Sequence, residues 1–324
     1  MVALLEVRNL KTYFYTLRGV VRAVDGVSFT LEKGETIGIV GESGSGKSTL
    51  GFSLLRLVPP PGRITDGSII LDGVDILKLS EERMRKEIRW KRISMVFQSA
   101  LNALNPVKRI GDQIADAIMA HEDVSKKEAL ERAAELLKAV GIDPRRISNY
   151  PHEFSGGMKQ RAVIAMALAL EPDVVIADEP TTALDVVVQA QILNLFKKLR
   201  NEKKMSIILI THDLSLVAEI ADKVAIMYAG RIVEIGPSDR IYTAPAHPYT
   251  KGLMASIPRI GGSKELSWIP GSPPDLRSPP PGCRFHPRCP YAMDICRRED
   301  PPYFTIDRDQ LSACWLHKEG VGKI

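Results

Sequence analysis

Eight residues near the amino end, Gly41-Glu42-Ser43-Gly44-Ser45-Gly46-Lys47-Ser48, have the types and spacing that hold a polyphosphate. Glycines let successive backbone N–H groups turn inward around a phosphate, and a following helix adds the positive end of its dipole. Lys47 would reach the β- and γ-phosphates, the Ser48 hydroxyl would sit on Mg²⁺, and Thr49, at the start of the helix, would join the nucleotide-binding set. Far along the chain, Asp178 and Glu179 end the apolar run Val174-Val175-Ile176-Ala177. Alone they read as the solvated end of a strand. Beside a nucleotide, such an aspartate holds Mg²⁺, usually through water, and the glutamate polarises the water that attacks the γ-phosphate. Gln98 and His212 each end a predicted strand, where His212 could bond a γ-phosphate. Ser155-Gly156-Gly157 precedes a predicted helix, as a simple cap or as a second phosphate-binding helix start. A second such start in a chain with one nucleotide implies that two chains share their sites.

Local signals place these residues on elements. Residues 36–40 are short, apolar and partly β-branched, as in a buried strand, and 49–57 carry leucines at helical spacing. The P-loop therefore falls between a strand and a helix. Residues 4–10 and 24–31 read as strands with a loop at Arg18-Gly19, leaving Tyr13 and Phe14 between them as aromatics able to stack on adenine or to fill a strand end. Strands are also expected at 67–71 and 92–97, with a charged helical segment at 81–90 between them. From about 99 to 157 the pattern turns helical, with amphipathic stretches at 111–121 and 126–140. Helix and strand then alternate: helices at 156–170, 187–202 and 214–221, strands at 174–177, 206–210 and 224–228. This predicts an α/β fold, a P-loop NTPase with a mostly parallel sheet and an inserted helical subdomain.

The chain has 324 residues, 44% hydrophobic and 26% charged, which suits a soluble globular protein with ample core. No apolar run approaches membrane-spanning length, and no signal peptide is visible, so a cytosolic protein is expected. The net charge of +5 is spread among interleaved acids and bases. A nucleic-acid role would want a concentrated basic stripe, so no nucleic-acid partner is expected.

The whole set resembles the ATPase subunit of an ATP-binding cassette (ABC) transporter, over roughly residues 4–236. Residues 41–48 match Walker A, Gln98 the Q-loop, 155–159 the signature, Asp178 and Glu179 Walker B with its catalytic glutamate, Ala183-Leu184-Asp185 the D-loop, and His212 the switch histidine. The signature departs from the usual Leu-Ser-Gly-Gly-Gln: it is Phe-Ser-Gly-Gly-Met here, keeping Ser-Gly-Gly. The resemblance implies a head-to-tail dimer with a second ABC ATPase, this chain or a related one, and two ATP molecules at its interface. Glu179, His212 and Gln98 would be catalytic, Gln98 also a Mg²⁺ ligand and a relay to a separate membrane permease. Asp185 would line the shared nucleotide site. The expected place is the cytoplasmic face of the cell membrane. A soluble ABC ATPase in DNA repair or translation is the rival, but such proteins usually carry two cassettes or a long inserted arm.

From Gly236 onward proline becomes dense, which predicts an ABC domain over 1–236 (helical part about 99–157) and an appended extension over 237–324. Residues 245–253 and 269–290 resemble segments of oligopeptide and dipeptide importers. That narrows the resemblance to the peptide/nickel uptake group, whose members also import oligosaccharides, and implies an external solute-binding protein. All four cysteines lie here, as Cys283-x5-Cys289-x6-Cys296-x17-Cys314. This is not the Cys-x2-Cys pairing of zinc ribbons. Four thiolates suit an iron–sulfur cluster, with Arg284, Arg288, Arg297 and Arg298 to offset its charge. Relatives in the peptide group carry a [4Fe-4S] cluster in this region; Zn²⁺, with His286 or His317 as substitute ligands, and free or paired thiols are the alternatives.

Overall fold

A computed structural model describes residues 3–98, 103–182, 184–256 and 269–319. Ala183 of the D-loop and the start of the helical stretch at 99 lie outside the described residues. In chain order the strands are β1 (Leu5–Thr16), β2 (Gly19–Leu31), β3 (Thr36–Val40), β4 (Gly62–Leu71), β5 (Val74–Asp75), β6 (Ile93–Val96), β7 (Val174–Asp178), β8 (Ser206–Thr211), β9 (Lys223–Tyr228), β10 (Arg231–Pro237), β11 (Phe304–Asp307) and β12 (Gln310–Ser312). They belong to two compact units, one of residues 1–31, 36–77 and 210–324, the other of 32–35 and 78–209.

In the first unit, β2-β1-β4-β5 form an antiparallel sheet. A second set runs β11-β12-β10-β9-β3, parallel between β9 and β3 and antiparallel elsewhere. All five residues of β3 are buried, which is why its sequence is apolar without alternation. The helix Lys47–Leu54 follows directly, so the expected strand, glycine turn and helix stand in sequence.

The first hairpin differs from expectation. β1 and β2 continue to Thr16 and Gly19, so Tyr13 and Phe14 lie within β1, paired with Arg22 and Val21. Register shifts after Val7, Leu10 and Thr12 break the two-residue alternation that would have revealed the full strand length.

In the second unit the strands lie in the order β8-β7-β6, with β6 and β7 parallel. Helices Ile110–Met119, Lys126–Ala139, Gly156–Ala167 and Val186–Lys203 make up most of the rest. Ser125 caps the second of these by accepting from Glu128 N–H at 3.2 Å, and Leu137, Ala133 and Ala129 form its buried stripe. The charged segment at 81–90 is helical to Ile88, ending in a π-turn.

The extension after residue 236 is not a separate compact unit. β12 pairs with β10, bringing Leu311 and Ser312 opposite Ile235 and Glu234. Glu234 is fully buried and accepts from Ala246 N–H, His247 N–H and the Gln310 amide, at 2.8, 2.9 and 2.7 Å. One carboxylate thus satisfies three donors from two parts of the extension. Among the described residues no helix is long and apolar enough to cross a membrane.

Glu234→Ala strands those three donors without an acceptor and should lower stability by about 2–4 kcal/mol. A urea titration would register this as a lower midpoint, with a smaller loss for Glu234→Gln, which retains one acceptor.

Candidate active site

The loop between β3 and the helix Lys47–Leu54 is shaped by backbone crowding. Gly46 has φ +102°, and a Cβ there would lie 1.9 Å from the Ala23 carbonyl oxygen. A Cβ on Gly41 would lie 2.0 Å from the Met227 carbonyl oxygen. No side chain fits at either position, so the glycines are required by neighbouring strands as well as by the phosphate they would face. Lys47 is buried, and its ammonium donates to the carbonyls of Gly41 and Glu42 at 2.7 and 2.9 Å. Its charge thereby lies along the loop, at the base of the cradle that the N–H groups would form.

Other first-unit residues sit as follows. The Tyr13 hydroxyl donates to Asp25 at 2.6 Å, and burial together with that carboxylate pushes its pKa up to about 12. Phe14 is half-buried against Gly62, where a Cβ would come within 2.7 Å of the ring. His212 is exposed at the end of β8. Asp213 caps the next helix, accepting from Ser215 N–H at 2.8 Å.

The second unit collects the acidic part. Asp178 is the buried last residue of β7. Glu179 follows with φ +46°, a left-handed backbone that costs a non-glycine residue about 1–3 kcal/mol. Its carboxylate accepts from the Gln98 amide at 3.1 Å and the Thr182 hydroxyl at 2.9 Å. Gln98 and Glu179, 81 residues apart, are therefore joined directly. Ser155 caps the helix Gly156–Ala167 through Met158 N–H at 3.3 Å, with Ser155 and Gly156 exposed. Asp185 caps the helix Val186–Lys203 through Val188 N–H at 2.9 Å.

The cysteine region also lies in the first unit. Cys296 and Cys314 are buried, Cys283 and Cys289 half-buried, and all four are unbridged. Burial, with a smaller contribution from neighbouring cysteines, pushes three of the thiols up: Cys283 to about 11, Cys314 to about 12, and Cys289 in the same direction. Cys283, Cys289 and Cys314 accept backbone N–H bonds from Phe285, Tyr291 and Leu316, each two residues on. Such donors favour a thiolate. Among the described residues, however, no three His, Cys, Asp or Glu side chains are arranged as a metal-holding group.

Two arginines expected to offset cluster charge are engaged elsewhere. Arg284 is buried, ion-paired with Asp25 and donating to the Ala229 carbonyl at 2.5 Å. Arg288, also buried, holds the Glu42 carboxylate through both terminal nitrogens, at 2.7 and 3.0 Å. The Tyr249 hydroxyl accepts the Glu42 N–H at 3.0 Å. Sequence reasoning missed these contacts; their only local signal was an acid inside the P-loop.

The profile of the family described as ABC transporter matches residues 24–182, and that described as oligopeptide/dipeptide transporter, C-terminal region, matches 233–296. The dipeptide transport ATP-binding protein DppD of Bacillus subtilis is 51% identical, over 98% of this chain and 96% of its own. The oligopeptide transport ATP-binding protein OppD of Salmonella typhimurium is 48% identical, over 96% and 93%. A dimeric ATP-binding cassette solved in a post-hydrolysis state with ADP and Pi matches with a TM-score of 0.63 and 28% identity, covering 72% of this chain and 98% of that one. With a strand-bounded P-loop, an acid pair ending β7 and near-full-length identity of about one half, the chain belongs to the ATP-binding subunits of ABC transporters, in the branch with an oligopeptide/dipeptide C-terminal region.

Proposed function

We propose that this ABC ATPase powers uptake of dipeptides or oligopeptides, working at the cytoplasmic face of a membrane beside separate permease subunits. An external solute-binding protein would deliver the cargo. The observation that carries the peptide assignment is the C-terminal match over 233–296 joined to relatives named for dipeptide and oligopeptide transport.

In this reading the N–H groups of residues 42–48 cradle the phosphates of ATP, and Phe14 or Tyr13 stacks on adenine. Lys47 exchanges its carbonyl partners for the β- and γ-phosphate oxygens. As the family resemblance implies, Ser48, Gln98 and Asp178 would hold Mg²⁺, which would neutralise charge on the β- and γ-phosphates. Glu179 draws the proton from the attacking water as its oxygen bonds to the γ-phosphorus and the bond to ADP breaks. His212 bonds a γ-phosphate oxygen. Residues 155–157 and Asp185 of an opposing cassette complete the site. Val186 and Val187, 79% and 67% exposed beside Asp185, are apolar surface that such a partner would cover.

The four cysteines would supply the donor set of an iron–sulfur cluster, and the N–H groups aimed at three of the sulfurs support that reading. The group would serve as a structural staple for a segment with little core of its own. Zinc would suit the thiolates chemically but leaves the protein colourless.

Four measurements test these assignments. Glu179→Gln should reduce phosphate release by about 10²–10⁴-fold while ATP still binds, and Lys47→Ala should weaken ATP binding itself. Retained hydrolysis in the first would assign the base elsewhere; unchanged affinity in the second would remove the P-loop role. Anaerobically purified protein should absorb in the visible and contain iron and sulfide; a colourless protein with stoichiometric zinc would replace the cluster. Affinity purification from solubilised membranes should bring down an integral-membrane permease, whereas ribosomes or DNA would point to the soluble branch.

A further inference from the structure

The segment between Cys283 and Cys289 presents two buried arginines, four residues apart, and each leads to the P-loop. Arg288 grips the Glu42 carboxylate bidentately. It is itself fixed by the Pro270 carbonyl at 2.7 Å and by the Tyr228 ring, with the guanidinium carbon 5.8 Å from the ring centre. Glu42 is therefore held at its side chain by Arg288, at its N–H by Tyr249 and at its carbonyl by Lys47. Arg284 acts on the other end of the loop. It holds the Ala229 carbonyl and Asp25, and the adjoining Gly230 N–H donates to the Ser45 carbonyl at 2.8 Å. Asp25 N–H in turn donates to the Gly230 carbonyl at 2.8 Å, which closes the arrangement.

We propose that Arg288 is a positioning residue for ATP binding: through Glu42 it sets the P-loop backbone, so that the C-terminal region governs nucleotide affinity. The proposal rests on the P-loop being the ATP site. A bidentate guanidinium–carboxylate pair fixes orientation as well as distance, which a lysine ammonium does not. Here the pair is anchored on one side to carbonyls and an aromatic ring, so the carboxylate and the backbone that carries it inherit a fixed position. A displacement of about 1 Å in a binding group is enough to lose orders of magnitude in a positioned reaction.

The test is equilibrium binding of ATP with Mg²⁺ to the full-length chain, with circular dichroism to confirm folding. Arg288→Ala should weaken ATP binding about tenfold or more, and Arg288→Lys should recover only part of the loss. Glu42→Gln, a milder change that keeps the residue's size, should weaken binding in the same direction. In the Glu42→Gln background, Arg288→Ala should add little further loss, because both act through one contact. Lys47→Ala serves as the reference. If it abolishes binding while folded Arg288→Ala binds as tightly as wild type, the positioning role is overturned and the ATP site stands. If Arg288→Ala and Glu42→Gln weaken binding by independent factors, Arg288 acts through overall stability and the proposal also fails. If Lys47→Ala binds ATP normally, the P-loop reading itself falls.

Discussion

A guanidinium taken out of water must keep a carboxylate beside it, and that requirement ties the end of this chain to its beginning. Arg284 and Arg288 are buried, and the carboxylates that neutralise them, Asp25 and Glu42, lie on β2 and in the P-loop. Removing one member of such a pair leaves an uncompensated charge in a poorly solvated place, typically at a cost of about 3–5 kcal/mol. The pairs therefore specify geometry more than they add net stability. Around them pack Tyr228, Tyr249 and Phe285, with ring centres 4.6–5.4 Å apart, and Tyr249 is the residue that receives the Glu42 N–H. The glycine loop of residues 41–48 thus has a floor built partly from residues more than 200 positions downstream.

The acidic centre of the second unit solves a different problem. A buried strand must end before it can present a carboxylate, and β7 does so by turning sharply at Glu179 into a left-handed backbone. The strain is offset by two hydrogen bonds to the side chain, from Gln98 and Thr182. The Gln98 amide therefore contacts the Glu179 carboxylate directly. Three further polar residues, Ser155, Asp185 and Asp213, do ordinary capping work at helix starts.

What the sequence disclosed followed the range of the interactions. The β3–P-loop–helix unit, the apolar run of β7 and the helices at 110–119 and 126–139 are local, and glycine, periodicity and caps reveal them. The long first hairpin was half hidden because bulges in β1 disturb its alternation. β10, β11 and β12 were not read at all: β11 and β12 have only four and three residues, and β10 meets β12 around a buried glutamate whose Gln310 donor lies 76 positions away. Arg284 and Arg288 were misread for a related reason. Their sequence neighbours are cysteines, whereas their spatial neighbours are the acids of β2 and the P-loop. No window of sequence contains both halves of either pair.

The separation between Glu42 and Arg288, 246 residues, also orders events during synthesis. At 5–20 residues per second, a ribosome needs roughly 12–50 s to deliver the arginine after the glutamate has been made. Throughout that interval the nascent protein has its glycine loop but not the floor beneath it. That loop is consequently among the last parts of the first unit to reach its final form. A chain cut short before residue 288 keeps the whole motif in sequence and still lacks the contact that fixes it in space.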